Sequence, residues 1–159
     1  MKQPTRFGVA LRLWLTLALL AALHLPAQTA AIAGPAGLRV DNLPTALGID
    51  DPAPKFSWLL HDPARGAKQT AYEVDVATTA DLLKANKPDV WTSEKIDAAQ
   101  SLNVKYSGPE LKPSTRYFWR VTVWGANGKA YPPSAPSWWE TGLLSESAWT
   151  ANWIGYETA

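Results

Sequence analysis

Short segments in which apolar and polar residues alternate dominate the chain beyond its first 33 residues. A period of two residues is typical of a half-buried β-strand. Seven such segments follow one another, with turn-forming residues between them: 37–40, 55–60, 71–78, 90–96, 101–106, 117–124 and 137–142. Residues 79–89 predict only one or two helical turns, with Thr79 as the N-cap. The pattern therefore predicts an all-β protein, an antiparallel β-sandwich of about seven strands.

The segment that begins at Tyr117 carries aromatic residues on both of its faces. Its inward face is expected to be the wholly apolar one, which consists of Tyr117, Trp119, Val121 and Val123. We expect Trp119 to be a core residue, because large aromatic residues at inward strand positions usually serve packing. The outward face then presents Phe118 and Trp124.

The last segment adds two adjacent tryptophans, Trp138 and Trp139, of which one must point outward. Asn127 and Gly128 favour a tight hairpin turn between the last two segments, so we expect Trp124 to lie near that outward tryptophan. Together with Phe118, these residues predict a contact surface. Three roles remain open for it: packing against another domain, stacking on a sugar ring, or recognition by a free-standing exported module.

The residues ahead of Tyr117 form a second pattern. Leu111, Pro113, Thr115 and Tyr117 occupy every second position. This spacing is typical of the tyrosine corner of Greek-key sandwiches, in which the tyrosine hydroxyl bonds to backbone a few residues upstream. We expect that backbone group to be an acceptor. We therefore expect the sandwich to have Greek-key connections.

Residues 1–33 have the three parts of a secretory signal peptide. Lys2, Arg6 and Arg12 form a basic start, residues 13–25 an apolar run, and Ala31 and Ala33 a small-residue cleavage site. The run is too short to span a bilayer comfortably, and an uncleaved membrane anchor is the alternative. We expect export to the periplasm or the medium, with no membrane contact after cleavage.

Composition then removes several function classes. The first 33 residues contain three bases and no acid, so residues 34–159 carry 12 basic and 14 acidic residues, a net charge of −2. A chain with this charge lacks the basic footprint of a nucleic-acid-binding protein. It has no cysteine and only two histidines, which excludes thiol chemistry and predicts neither a metal site nor a cofactor.

The carboxylates give no catalytic pair. A catalytic pair of carboxylates needs its two members facing each other across a substrate. Asp50 and Asp51 are neighbours in a proline-rich loop, where bonds to turn backbone are the expected role. Glu73 and Asp75 share a strand face that the pattern marks as the solvent side, and Glu140 follows the two tryptophans. No residue is assigned a catalytic role.

Two resemblances sharpen this prediction. The string "LKPSTRYFWRVTVWGANGK" is similar to the F-strand signature of fibronectin type III domains, with Trp58 at the place of their buried B-strand tryptophan. Six strings occur in an order that resembles the N-terminal region of bacterial α-L-rhamnosidases of glycoside hydrolase family 78. They are "LRVDNLPTALGIDDPAPKFSWLL", "QTAYEVDVATT", "VWTSEKI", "STRYFWRVTVWGANGK", "WWETGLL" and "WTANWIG". The likeness covers about residues 38 to 155.

The family resemblance implies a fibronectin type III or immunoglobulin-like domain within a large enzyme. Such enzymes place their inverting carboxylates in a helical toroid far downstream, so residues 34–148 are expected to be an accessory sandwich domain. Residues 149–159 are expected to begin the following domain or to form a C-terminal tail. The implied partners are the downstream domains of the same enzyme and rhamnose-containing glycans, with a carbohydrate-binding module as the alternative role.

Overall fold

A computed structural model describes residues 34–152 and Gly155. The chain divides into two units, Met1–Ala31 and Ile32–Ala159, and all the described residues belong to the second. The signal peptide expected at residues 1–33 lies outside the described residues, as do most of the residues after 152 that were assigned to a following domain.

The described residues form two β-sheets that pack face to face. The strands are β1 (Gly34–Val40), β2 (Ala46–Ile49), β3 (Lys55–His61), β4 (Gln69–Ala77), β5 (Trp91–Thr92), β6 (Val104–Lys105), β7 (Arg116–Gly125) and β8 (Ser137–Thr141). One sheet has the order β1-β3-β6 and the other β2-β8-β7-β4-β5. A short helix, α1 (Ala80–Lys84), follows β4, and a 3₁₀ turn (Glu146–Ala148) follows β8. The predicted sandwich is confirmed, with eight strands in place of about seven.

Strand β2 was missed because its sequence looks like a loop. The stretch between β1 and β3 contains three prolines and several aspartates, which favour turns. Even so, Ala46 pairs with Trp139 and Ile49 with Thr141, and this pairing is parallel. The sandwich is therefore antiparallel except at this edge. Gly48 adopts a left-handed φ of 64° between the two paired residues, which bends the short strand.

Strands β5 and β6 are much shorter than their patterns predicted. Each has only two residues. Glu94 and Asn103 adopt positive φ angles of 54° and 53°, and a left-handed residue interrupts the extended backbone that a strand requires. The helical prediction is closer, because Thr79 caps α1 by accepting a hydrogen bond from the Leu82 backbone N–H at 3.3 Å.

Aromatic rings fill the space between the sheets. Phe56 contacts Trp119 at 4.5 Å and Trp139 at 5.5 Å between ring centroids, and Tyr117 stacks on Trp139 at 5.3 Å. Trp58 meets Tyr72 at 5.3 Å and donates its indole N–H to the Gln69 side chain. Because these rings come from both sheets, their packing holds the sandwich closed.

Two core indoles lack a polar partner. Within the described residues, the Nε1–H groups of Trp119 and Trp139 are buried and donate to no hydrogen-bond acceptor. An unpaired buried donor costs about 1–3 kcal/mol. The large apolar area of each ring must outweigh that cost, so these two tryptophans serve the fold through packing alone.

The expected tyrosine corner is present, with one correction. The Tyr117 hydroxyl accepts a hydrogen bond from the Lys112 backbone N–H at 2.9 Å. The upstream group is therefore a donor, whereas an acceptor was expected. The corner also uses Thr141, whose hydroxyl donates to the Lys112 carbonyl at 2.6 Å. These bonds fix the entry into β7 relative to β8.

Candidate functional surface

The outer face of the five-stranded sheet carries every outward residue that the sequence singled out. On β7 the outward positions alternate with the core positions and are Arg116, Phe118, Arg120, Thr122 and Trp124. On β4 the facing positions are Ala71, Glu73, Asp75 and Ala77. This face divides into two regions with different chemistry.

The first region is an aromatic–arginine cluster formed by Arg116, Phe118, Trp138 and Glu140. Cross-strand pairing places Phe118 opposite Trp138 and Arg116 opposite Glu140. The Arg116 guanidinium lies 4.0 Å from the centre of the Trp138 ring. Its Nε and Nη2 atoms donate to one Glu140 oxygen at 2.8 and 2.5 Å. The charged groups are thus paired with each other, and the two aromatic rings remain half-buried.

Trp139 does not belong to this surface. It is fully buried between the sheets, whereas its neighbour Trp138 points outward. The alternation of side chains along β8 required one of the two to be inside, and the pattern alone did not say which. The three residues assigned to the core, Trp58, Tyr117 and Trp119, are 1%, 4% and 0% exposed.

Trp124 does not lie near Trp138, contrary to expectation. The Asn127–Gly128 turn forms, with Gly128 at a φ of 73° and its N–H donating to the Gly125 carbonyl at 2.9 Å. Several prolines follow the turn, however, and strand β8 begins only at Ser137. Trp124 therefore faces Ala71 and Ala130, six residues along β7 from Phe118. At strand spacing that separation is about 20 Å.

Between these ends lies a buried ion pair. Arg120 donates through Nε and Nη2 to one Asp75 oxygen at 3.1 and 2.9 Å, and both side chains are nearly inaccessible to solvent. The prediction that Asp75 is on the solvent side was wrong. Helix α1 and the residues after it lie over β4 and β7, so this part of the outward face is covered.

The second region is a groove beside this ion pair, which we call the Trp124 groove. It has a volume of about 330 Å³, and its lining includes Glu73, Asn86, Pro88, Thr122, Trp124 and Pro133. Burial, followed by the nearby Asp75 carboxylate, raises the pKa of Glu73. The Lys95 ammonium lies 5.2 Å from the centre of the Trp124 ring. The groove thus combines an aromatic wall with several polar side chains.

A larger cavity of about 880 Å³ lies between the end of β2 and the residues that follow β8. Its lining includes Asp50, Leu144 and Trp149. We call it the Trp149 cavity. Trp149 is 60% exposed, and Leu47 on the adjacent strand β2 is 59% exposed. A side chain at Gly142 would place its Cβ against the Asp50 carboxylate, so the Asp50 side chain would have to move aside. The cavity therefore offers a largely apolar surface that also includes the Asp50 and Glu146 carboxylates.

Of the two loop carboxylates, Asp50 and Asp51, only Asp51 has side-chain hydrogen-bond partners among the described residues. Asp51 accepts bonds from the Ala53 backbone and from Lys55, and these bonds hold the pKa of Asp51 below its usual range. Residues 34–152 contain no group of three or more side chains suited to holding a metal ion. In that same part of the chain, no helix is long and apolar enough to cross a membrane.

Sequence reasoning missed the roles of Arg116 and Asn86. Arg116 becomes significant only through the strand register that sets it opposite Glu140. Asn86 ends the turn after α1 with a φ of 54° and reaches the groove from a loop. The only available signal was an outward arginine next to an outward aromatic residue, which is common on solvated strands.

Comparison with known proteins points to one family. A family model described as "Rha78A-like, N-terminal immunoglobulin domain" matches residues 35–145. An α-L-rhamnosidase of Streptomyces avermitilis is 50% identical over 115 residues, which is 72% of this chain and 11% of that protein. One from Formosa agariphila is 40% identical over 109 residues, or 68% of this chain and 11% of that protein.

Solved structures agree with the sequence relatives. The S. avermitilis α-L-rhamnosidase, complexed with L-rhamnose, matches with a TM-score of 0.75 and 46% identity, covering 79% of this chain and 12% of that one. The α-L-rhamnosidase of Dictyoglumus thermophilum matches with a TM-score of 0.75 and 35% identity, covering 78% of this chain and 14% of that one. The chain thus spans little more than a tenth of the proteins it resembles.

Proposed function

The chain belongs to the family of Rha78A-like N-terminal immunoglobulin domains, and from that premise we propose that it packs against and supports the catalytic part of an α-L-rhamnosidase. In this proposal the parent protein hydrolyses terminal α-L-rhamnosides, and its downstream domains are the partners of this domain. Rhamnose-containing glycans are the ligands of the whole enzyme. The sandwich itself contributes position and stability.

The observation that carries the proposal is the share of each relative that the domain represents. It matches 11% to 13% of four α-L-rhamnosidases, so in each of them most of the polypeptide lies outside the matched segment. A domain joined to so large a remainder must form interdomain contacts, and such contacts are usually partly apolar. The aromatic–arginine cluster and the Trp149 cavity are two described surfaces that offer half-buried or exposed aromatic side chains for them.

The cluster suits a packing role better than a sugar-binding role. Arg116 already occupies one side of the Trp138 ring, and Glu140 already accepts two bonds from Arg116. A ligand would have to displace these contacts. A protein surface, by contrast, can cover Phe118 and Trp138 while leaving the ion pair at the rim of the interface, where such pairs are typical.

A domain exchange tests the proposal. The matching segment of the S. avermitilis α-L-rhamnosidase is replaced by residues 35–145 of this chain, and a second protein has the segment deleted. We expect the exchanged enzyme to keep the thermal stability and turnover of its parent, and the deleted enzyme to lose both. An exchanged enzyme no better than the deleted one would contradict the supporting role.

The domain by itself is expected to hydrolyse no aryl α-L-rhamnoside. Glu140, the carboxylate of the aromatic–arginine cluster, is held in an ion pair with Arg116. The assay compares the purified chain with a mock purification. Turnover that disappears in Glu140→Gln would contradict the accessory role.

We also propose that the protein is exported to the periplasm or medium. The support is the basic start, the apolar run and the Ala-Ile-Ala site within residues 1–33. N-terminal sequencing of protein recovered from the periplasm or medium is expected to begin at Gly34. Recovery of only full-length protein in the membrane fraction would favour the uncleaved anchor.

A further inference from the structure

We propose that the Trp124 groove is a binding site for one neutral pyranose unit of a glycan. Trp124 supplies an aromatic wall for the apolar C–H face of the sugar, and Glu73 with Asn86 supplies polar contacts to its hydroxyl groups. Lys95 lies over the Trp124 ring but does not line the groove, so it leaves the groove side of the ring open. This site is separate from the aromatic–arginine cluster and does not depend on the proposed docking role, because the groove lies within the domain itself.

The first observation is a set of polar side chains without partners. Glu73, Asn86 and Thr122 all line the groove. Within the described residues, none of these three side chains takes part in a hydrogen bond or an ion pair, whereas Glu140 and Asp51 on the same domain are both bound. A carboxylate, an amide and a hydroxyl together offer the donors and acceptors that a polyhydroxylated ligand requires.

The second observation is that paired strands and a buried ion pair form the floor of the groove. The Asp75–Arg120 ion pair lies beneath the groove and is nearly inaccessible to solvent. Glu73 and Trp124 extend from β4 and β7, which are joined by the longest pairing in the sheet that the structure describes. Side chains mounted on paired strands keep their spacing, and such preorganisation reduces the entropy lost on binding.

Charge and size narrow the ligand class. Three acids, Glu73, Asp75 and Glu94, are close to two bases, Arg120 and Lys95, so the neighbourhood has a net charge of −1. This charge disfavours phosphate and other anions. The volume of about 330 Å³ is at the lower end for ligand pockets, which suits a single small ring rather than a peptide. A neutral monosaccharide unit satisfies both limits.

The test uses the purified protein and follows tryptophan indole N–H signals by NMR during titration. The probes are L-rhamnose, methyl α-L-rhamnopyranoside and D-glucose, each at millimolar concentrations. We expect one indole signal, assigned to Trp124 by its absence in Trp124→Ala, to shift in a saturable way with at least one sugar. The Trp138→Ala variant is the matched control, because it removes an outer aromatic residue of the other region and should leave the shift intact.

Two variants separate binding from folding. Trp124→Ala should weaken the apparent affinity by at least about tenfold, as expected for an aromatic anchor. Glu73→Gln should weaken it by about fivefold, the difference between a charged and a neutral acceptor. Burial raises the pKa of Glu73, so the folded protein binds the carboxyl proton of Glu73 more tightly than the unfolded chain does. Stability therefore falls as the pH rises from the unfolded-state pKa of Glu73 through its folded-state pKa. Glu73→Gln should therefore unfold at a slightly higher temperature at neutral pH while binding sugar more weakly.

Several outcomes would overturn the proposal. One is the absence of any saturable shift with all three sugars in protein that unfolds cooperatively. Another is a shift that persists unchanged in both Trp124→Ala and Glu73→Gln, or one that Trp138→Ala removes instead. A Glu73→Gln variant that loses stability would show that Glu73 serves the fold rather than a ligand.

Discussion

Both faces of β7 carry aromatic residues, but those on the inner face are buried and those on the outer face are only half-buried. The inner face has Tyr117 and Trp119, which are 4% and 0% exposed, and the outer face has Phe118 and Trp124, which are half-buried. Inside, rings meet other rings, and the indole N–H of Trp119 has no partner among the described residues. On the outer face of the sheet, each tryptophan lies beside a charged group. Lys95 lies over Trp124 of β7, and Arg116 lies over Trp138 of the neighbouring strand β8.

This difference shows that an aromatic residue on a strand has no fixed role. The inner rings stabilise the sandwich by the area they remove from water. The outer rings remove less area and leave part of each ring available to another surface or ligand. Replacing a residue on one face should therefore affect stability, and replacing one on the other should affect contacts.

The largest effect is expected for Trp119→Ala. This change removes the ring that contacts Phe56 at 4.5 Å and leaves a cavity between the sheets, so unfolding free energy should fall by about 3–5 kcal/mol. Chemical denaturation followed by circular dichroism measures it. A loss below about 1 kcal/mol would mean that the inner face of β7 is not the one that holds the fold together.

The next effect concerns the part of the outer face that is buried. Asp75→Asn leaves Arg120 as a buried charge without its carboxylate, and we expect a loss of about 3 kcal/mol. Glu140→Gln is the matched control, because it breaks the exposed pair with Arg116 and should cost no more than about 1 kcal/mol. Equal losses in the two variants would contradict the difference in burial.

Tyr117→Phe should have a smaller effect. The ring and its stacking on Trp139 remain, and only the bond from the Lys112 backbone N–H to the hydroxyl is lost. We expect unfolding free energy to fall by roughly 1 kcal/mol or slightly more, because the donor is left unpaired. An unchanged denaturation midpoint would mean that water replaces the tyrosine hydroxyl at no cost.

Much of this fold can be predicted from short stretches of the sequence. The inner and outer faces of β7 follow from strict alternation, and the tyrosine corner follows from the spacing of Leu111 to Tyr117. Strand β2 is different, because its two paired residues depend on β8, almost a hundred residues later. Such non-local pairing leaves no periodic signal in a four-residue strand.

The candidate surfaces were harder to predict than the fold. Whether Trp138 or Trp139 points outward depends on strand register, and the distance from Trp124 to Trp138 depends on prolines that delay the start of β8. Asp75 became buried because α1 and the residues after it fold over the sheet. Register and coverage are tertiary properties, so alternation along one strand cannot supply them.

The measurement that most directly tests the role of the outer face is the thermal unfolding of Trp138→Ser in two settings. In the isolated protein the change removes a half-buried ring and its contact with Arg116, and stability should fall by less than about 1 kcal/mol. In the S. avermitilis enzyme carrying this domain, the same change should lower the unfolding temperature and turnover clearly, because it removes an interdomain contact. Equal, small losses in both settings would contradict the proposal that this surface supports a catalytic partner.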